Sequence, residues 1–257
     1  MSSWKALRAE LDRWGQEGRR ASFWWRDDDA SAPGEALDRL VALAGKHGVP
    51  LALAVIPADM DPGLADALPR RARLQLLQHG FSHRNHAPAT EKKMELGPHR
   101  SHGAVARELK AGRKRLEALF GRRFLPALVP PWNRIDPALL PRLPGLGFVG
   151  LSTFRARATA APAPGLRQVN CHIDIIDWRE RRFAGEAAAL DGAVGHLAAR
   201  RRAAADPTEP TGLMTHHLAH DAAAWRFLDR FLGATATHPA ARWLGARQAF
   251  RAGRRAS

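Results

Sequence analysis

The sequence predicts a single α/β domain, barrel-like or doubly wound, and three observations carry that prediction. Short apolar or aromatic runs alternate with amphipathic stretches along most of the chain. Two of the runs, residues 50–56 and 74–78, are almost wholly apolar, the pattern of parallel strands covered on both faces. No shift in composition and no internal repeat divides the 257 residues. About seven strand-like runs favour a barrel, closed or incomplete, over a doubly wound sheet.

The elements follow in order. Trp4, Leu7, Leu11 and Trp14 recur at helical spacing among charges, which predicts an amphipathic helix over the first twenty residues. Residues 21–26 form an aromatic strand that runs into Asp27-Asp28-Asp29. Pro33 opens a helix with Leu37, Leu40, Val41 and Ala44 on one face, and Gly48 stops it. The strands at 50–56 and 74–78 come next, the second ending at His79, and a polar loop rich in His and Pro fills 84–100. A helix over 101–120 turns Val105, Leu109, Gly112, Leu116 and Leu119 inward, with Gly121 as its stop. A strand at 124–129 leads into Pro130-Pro131-Trp132-Asn133, and Asp136-Pro137 reads as an N-cap followed by proline. Strands at 148–153 and 169–176, a helix over 185–205, a strand at 212–216 and a helix over 221–232 complete the pattern.

Composition narrows the function. Apolar residues make up 45% of the chain, enough for a substantial core. Cys171 stands alone, so an internal disulfide framework and a cysteine-based zinc knuckle are both excluded, and any metal must rely on histidine and carboxylate. No run reaches the length of a membrane span, and the first helix lacks the continuous apolar core of a secretory signal, which makes the cytoplasm the expected location. The formal net charge is +15. Its arginines are spread along the chain, with dense clusters only at 200–202 and 251–255, so no nucleic-acid partner is expected. A basic surface suits an anionic substrate or a membrane surface.

Two segments point to metal chemistry. His79 and His83 are four residues apart, so on a helical turn they face one side and can hold one ion; His86 is a further candidate for its surroundings or for substrate. Three adjacent aspartates repel one another and need positive partners. One of them would bind the metal and a neighbour would lie close enough to take a proton from water. The tandem His216-His217 closes another strand, where one imidazole faces the site as a proton donor. Asp174 and Asp177 sit with Trp178 at a further strand end, the indole serving as core or as pocket wall.

In this order the segments resemble the polysaccharide deacetylase family, the NodB homology domain of carbohydrate esterase family 4. The family's fold is a distorted, incomplete (β/α)7-type barrel. Its Thr-Phe-Asp-Asp-Gly motif resembles residues 26–30, and its His-(Ser/Thr)-x-x-His motif resembles residues 79–83. Its Arg-x-Pro-(Tyr/Trp) segment resembles Val129-Pro130-Pro131-Trp132. Its Asp-Trp motif resembles Asp177-Trp178, and its Leu-x-His motif resembles Met214-Thr215-His216. The resemblance spans roughly residues 21–220; each motif alone is weak, and five in order are moderately specific.

The resemblance implies a single barrel domain over 21–235, after the N-terminal helix at 1–20 and before a basic tail at 236–257. It implies Asp29, His79 and His83 as ligands of a divalent metal, zinc first, with cobalt, nickel or manganese as alternatives. It also implies Asp28 as the catalytic base and His216 as the acid, with Asp177 orienting the acid. Trp132 and Trp178 would wall the pocket, and a backbone N–H near Pro131 would hold an oxyanion. The implied activity is hydrolysis of an acyl group, N-acetyl above all, from a carbohydrate or another small amide, anionic or lipid-linked. Deformylation or other C–N hydrolysis of a non-sugar amide is the alternative. A degenerate barrel that binds a glycan or nucleic acid is the alternative of another class.

The sequence departs from the pattern at three points. Ala30 replaces the glycine and Asp27 the aromatic, so the acidic pair is either Asp28/Asp29 or Asp27/Asp28. Val129 replaces the arginine that would orient the base, leaving Arg26 or Arg134 to supply that cation. Either His216 or His217 is the acid.

Overall fold

A computed structural model describes residues 2–69 and 73–251. Eleven strands occur along these residues: β1 (Ala21–Ala30), β2 (Leu51–Val55), β3 (Leu74–His79), β4 (Phe124–Val129), β5 (Gly150–Leu151), β6 (Arg167–Gln168), β7 (Ile173–Asp174), β8 (Ile176–Asp177), β9 (Arg182–Phe183), β10 (Thr211–Thr215) and β11 (Ala241–Trp243). The main sheet is parallel, in the order β6-β5-β4-β3-β2-β1-β10-β7, with β11 added beside the start of β1. β8 and β9 form a separate antiparallel hairpin. The α-helices are α1 (Trp4–Gln16), α2 (Glu35–His47), α3 (Leu64–Ala67), α4 (His102–Phe120), α5 (Glu186–Arg201), α6 (Ala222–Ala236) and α7 (Ala246–Arg251). None of the described helices is long and apolar enough to cross a membrane.

The two edges of the sheet meet through one kinked segment, residues 167–174. Its first half lies against β5, where Val169 N–H donates to Leu151 O and Cys171 N–H to Thr153 O, each at 3.0 Å. Its second half lies against β10, where His172 N–H donates to Gly212 O at 2.7 Å. β6 and β7 are therefore two ends of a single stave, and the regular ladder is lost between them. The result is the distorted, incomplete (β/α) barrel that the alternating pattern predicts, in a single domain. The strands expected at 148–153 and 169–176 shrink to two-residue pieces because they form this irregular seam.

Period-two alternation separates two cores. Leu51, Leu53 and Val55 of β2, with Phe23 and Trp25 of β1, face the helices and pack with Leu7, Leu11, Trp14, Leu37, Leu40 and Leu228. Ala52 and Ala54 face the barrel interior with Ala127, Val129 and Trp24. These small side chains leave room for the Trp24 indole, whose Nε1 donates to Asn170 O at 2.9 Å, and for Phe250, edge-on to Trp24 at 5.8 Å. Phe250 belongs to α7, which plugs the bottom of the barrel. The segment expected as a basic tail thus supplies β11 and α7 instead, because Ala246, Ala249 and Phe250 are apolar enough to be buried there. Residues 252–257, which carry most of the cluster at 251–255, lie outside the described residues.

In α4, Phe120 takes the inward place expected for Leu119, which is 37% exposed. Both positions suit the apolar stripe, and the larger ring is the one buried.

A buried polar cluster holds the seam from below. Glu209, fully buried, accepts Asn170 N–H at 3.0 Å and Arg157 N–H at 3.1 Å. Beside it the His172 and His196 rings stack with centroids 3.3 Å apart. Burial, with the neighbouring imidazole and arginines, pushes His196 down to about 2, and burial also lowers His172 despite Glu209. The unfolded chain binds these protons near 6.5, whereas the folded one does not. The stability they contribute is therefore full above pH 6.5 and is lost as pH falls below it. Thermal melts from pH 7.5 to 5 should show a falling melting temperature, and His196→Gln should flatten the fall by up to about 1.4 kcal/mol per pH unit. An identical acid slope in the variant would refute this assignment.

Candidate active site

The three aspartates end β1 pointing in different directions. Asp29 has φ 70, and the pairing of β1 with β2 slips register between Asp27 and Ala30. Strict alternation would put Asp29 on the face of Asp27. The left-handed residue, which aspartate tolerates better than most, makes a bulge that turns Asp29 onto the side of Asp28. Asp28 and Asp29 consequently line one cavity and Asp27 does not.

Each carboxylate has its own cationic neighbour. Asp27, fully buried, accepts from Thr215 Oγ1 at 2.6 Å and from His217 N–H at 3.0 Å, and faces His217 Nδ1 at 2.5 Å. Burial opposes ionisation of Asp27, but the His217 charge and hydrogen bond outweigh it and hold the carboxyl below its usual range. Asp28 meets Arg26 in a two-point contact, Nε to Oδ1 at 2.8 Å and Nη2 to Oδ2 at 2.9 Å. Asp29 Oδ1 lies 3.1 Å from His79 Nε2 and 3.3 Å from His83 Nε2. Burial disfavours its charge as well, yet His79, His216 and His83 bring its pKa well below the ordinary carboxylate value.

The histidine pair is not on a helical turn. His79 ends β3, and Gly80 (φ 54) and His83 (φ 55) take left-handed conformations in the turn that follows. A Cβ at Gly80 would run into the Glu95 carboxylate and lie 2.6 Å from the Pro131 ring. Glu95, fully buried, accepts Ser82 N–H at 2.7 Å and Phe81 N–H at 3.2 Å, and so fixes the turn that carries His83. His79 Nδ1 donates to Val129 O at 2.9 Å, which orients the ring so that its Nε2 faces Asp29. The ligand atoms of Asp29, His79 and His83 lie within 4.8 Å of one another, and Asp29 Oδ1 is buried with no hydrogen-bond partner. Two imidazole nitrogens and one carboxylate oxygen in this arrangement fit a divalent cation with open positions.

His216 closes β10 and lines the same cavity, its Nε2 3.8 Å from Asp28 Oδ2 and its ring edge-on to Trp178 at 4.5 Å. His217 turns away to Asp27. Of the two candidate orienting cations, Arg26 meets Asp28, whereas Arg134, though at the cavity wall, donates to Lys93 O at 2.8 Å. Arg26 is fully buried and also donates to Ser152 Oγ at 2.6 Å and Asn133 Oδ1 at 2.8 Å. Burial disfavours its charge, but Asp28 more than compensates and raises its pKa. Val129 belongs to the interior core.

Two expected positions are corrected. Asp177 caps its own hairpin by accepting Arg179 N–H at 2.9 Å and does not line the cavity. Asp174, three residues earlier, lines it instead, and accepts Ile176 N–H at 3.0 Å and Trp178 Nε1–H at 2.9 Å. Burial raises the Asp174 pKa. His86 lies in the loop, 2.9 Å from Arg100 Nη1, and is not at the cavity. Trp132 and Asn133 both adopt left-handed φ, 55 and 56, and this kink brings the Trp132 ring to 4.5 Å from His83. Asn133, Glu95 and Phe154 carry no sequence signal: each is an ordinary residue type whose role appears only once distant segments meet.

The cavity has a volume of about 290 Å³. A larger hollow of about 870 Å³ at the other end of the barrel is lined by α7 and the seam, and among the described residues no carboxylate or imidazole lines it. His172, His196 and Glu209 form a second close group among the described residues, but they do not suit a metal. Gly212 N–H donates to His172 Nδ1 at 3.0 Å, which places the ring hydrogen on Nε2.

Comparison with solved structures places this architecture. A family 4 carbohydrate esterase from Streptomyces lividans, in complex with acetate, superposes with a TM-score of 0.56 at 13% identity over 87% of this chain and 91% of that one. A peptidoglycan deacetylase variant from Bacillus subtilis gives 0.55 at 11% identity over 91% of both chains. A mutant of a family 4 pseudoenzyme with restored activity gives 0.54 at 13% identity over 90% of this chain and 68% of that one. No protein-family model matches the sequence, and no curated protein matches it. The fold is that of the family 4 deacetylases, at a large distance in sequence.

The Asp27–His217 pair is buried and isolated from solvent, so removing one partner strands the other. Asp27→Asn should destabilise the protein by about 3–5 kcal/mol in denaturant unfolding. A loss below about 1 kcal/mol would show that the pair holds nothing in place.

Proposed function

We propose that this protein is a metal-dependent deacetylase related to carbohydrate esterase family 4, removing an acyl group, N-acetyl above all, from an amino sugar. One observation carries the reading: the Asp29–His79–His83 group shares a single cavity with Asp28 and His216, on a fold shared with enzymes of that activity.

Asp29, His79 and His83 would hold the ion, zinc or a similar divalent cation. When bound it polarises the acyl oxygen and lowers the pKa of a water towards roughly 7. The remaining chemistry belongs to the chain. Asp28, adjacent to the ligand Asp29 and tied to Arg26, would take the proton of the attacking water. Arg26 does for Asp28 what an arginine at position 129 would do, reaching it from the same strand instead of from β4, across the barrel. His216, 3.8 Å from Asp28, gives a proton to the departing amine. Asp174 acts on it through Trp178, whose indole it holds against the His216 ring. Asn133 N–H and Arg134 N–H are committed to Pro130 O and Pro131 O, so the N–H of Trp132 is the donor in that turn placed to receive the oxyanion. Trp132 and Trp178 offer apolar walls to the acyl methyl and the sugar face.

The presence of every one of these groups argues against a degenerate, purely binding barrel. His79→Ala and His83→Ala should each lose bound zinc by elemental analysis. Asp28→Asn should keep its zinc and lose about 10²–10⁴-fold in acetate release from N-acetylated sugars. Undiminished turnover by Asp28→Asn would overturn its role as base. Formate release from N-formyl substrates in preference to acetate would reassign the acyl group, and native protein that binds no zinc, cobalt, nickel or manganese would overturn the reading itself.

A further inference from the structure

Large apolar side chains in solvent are few here. Among the described residues four stand out: Leu119 at 37% exposure, Val149 at 46%, Trp178 at 48% and Leu218 at 69%. The two most exposed flank one opening. Trp178 lines the cavity beside His216, and Leu218 lies two residues after His216, on the single 3-10 turn His217–Ala219. The segments that carry them are tied together, since Phe183 N–H of the β8–β9 hairpin donates to Asp221 Oδ2 at 3.1 Å. The hairpin tip adds three exposed arginines, Arg179, Arg181 and Arg182. Exposed Arg155 follows the cavity residue Phe154, and exposed Lys93 offers its carbonyl to Arg134 at the cavity wall. Of the acids on these segments, Asp177 and Asp221 are engaged by backbone N–H groups, Glu91 faces His99, and Glu180 is exposed.

We infer that this rim docks on an anionic lipid bilayer, with Trp178 and Leu218 seated at the boundary between headgroups and acyl chains and the arginines on lipid phosphates. An indole is at home at that depth, and long arginine side chains reach the phosphates while their stems lie along apolar surface. A patch of two apolar side chains with basic flanks gives reversible binding, not anchorage. The chain's charge of +15 adds attraction to an anionic leaflet. The cavity then opens onto the membrane surface. Resting on the deacetylase reading, this selects an acylated amino sugar carried on a lipid as the substrate class.

Vesicle sedimentation tests the docking without substrate. The probes are vesicles of phosphatidylcholine alone and of phosphatidylcholine with about 30% phosphatidylglycerol. Any strongly basic protein is drawn to the second, so the deciding variants leave charge unchanged. Leu218→Ser should lower the partition coefficient on the anionic vesicles by about tenfold, the worth of burying one leucine. Adding Trp178→Ser should lower it further. Val149→Ser and Leu119→Ser, which remove apolar side chains away from the opening, should bind as the native protein does. Melting temperatures check that each variant is folded. Equal binding by native and Leu218→Ser protein, equal losses in the two control variants, or no binding to anionic vesicles would each overturn the proposal. Asp28→Asn protein should bind vesicles normally, so failure of the docking and failure of the hydrolase reading are separate results.

Discussion

The site rests on one electrostatic constraint: three adjacent carboxylates, each largely or wholly buried, must each find a positive partner. Left together they would repel at short range in a poorly solvated setting, where such repulsion is costly. The fold separates them. Asp27 goes to His217 in the turn after β10, Asp28 to Arg26 on its own strand, and Asp29 to His79 at the end of β3 and His83 in the turn beyond it. The bulge at Asp29 makes this three-way division possible, and it also decides which carboxylates see the cavity. The placement of β10 and of the turn after β3 follows from the same requirement, because each brings a partner that β1 cannot supply.

Much of this was legible in the sequence, and the limits are instructive. Strands β1 to β4 and the amphipathic helices follow from periodicity, because their side chains face uniform surroundings on each side. The association of Asp29 with His79 and His83 was legible as residue type, spacing and order of motifs. The reason for that spacing was not. A helical turn and a strand end followed by two left-handed residues can present the same two imidazoles, and nothing local separates them. The bulge was equally hidden, since Asp27-Asp28-Asp29 reads the same in either register. Asp177 adjoins Trp178 in sequence and so looks like its partner, whereas the indole Nε1 reaches back to Asp174 across the bend between β7 and β8. β11 and α7 leave little sequence signal, because their apolar face is a few residues long and interrupted by Arg242, Arg247 and Arg251.

The interior of the barrel shows how residue size sets the position of charge. Ala52, Ala54 and Ala127 give up volume that Trp24 and Phe250 fill from below. Above them the Arg26 guanidinium occupies the upper interior, satisfied by Ser152, Asn133 and Asp28. An arginine in the middle of an apolar barrel is tolerable only with such a complete set of acceptors. The cation that orients Asp28 is thus part of the packing, and its exact partners come from three staves.

The kinked stave at 167–174 has a mechanical consequence. Every other junction in the ring is a parallel ladder, but here the chain changes partners midway, and the fully buried Glu209 grips it through the backbone N–H of Asn170 while also holding the preceding loop at Arg157. The ring behaves as a spring clip with one latch. A clip of this kind opens first along that line, so amide hydrogens at 169–172 should exchange with solvent ahead of those in β1 to β4. The latch stands at the far end of the staves from the cavity, so the clip can flex while the aspartates and histidines keep their spacing.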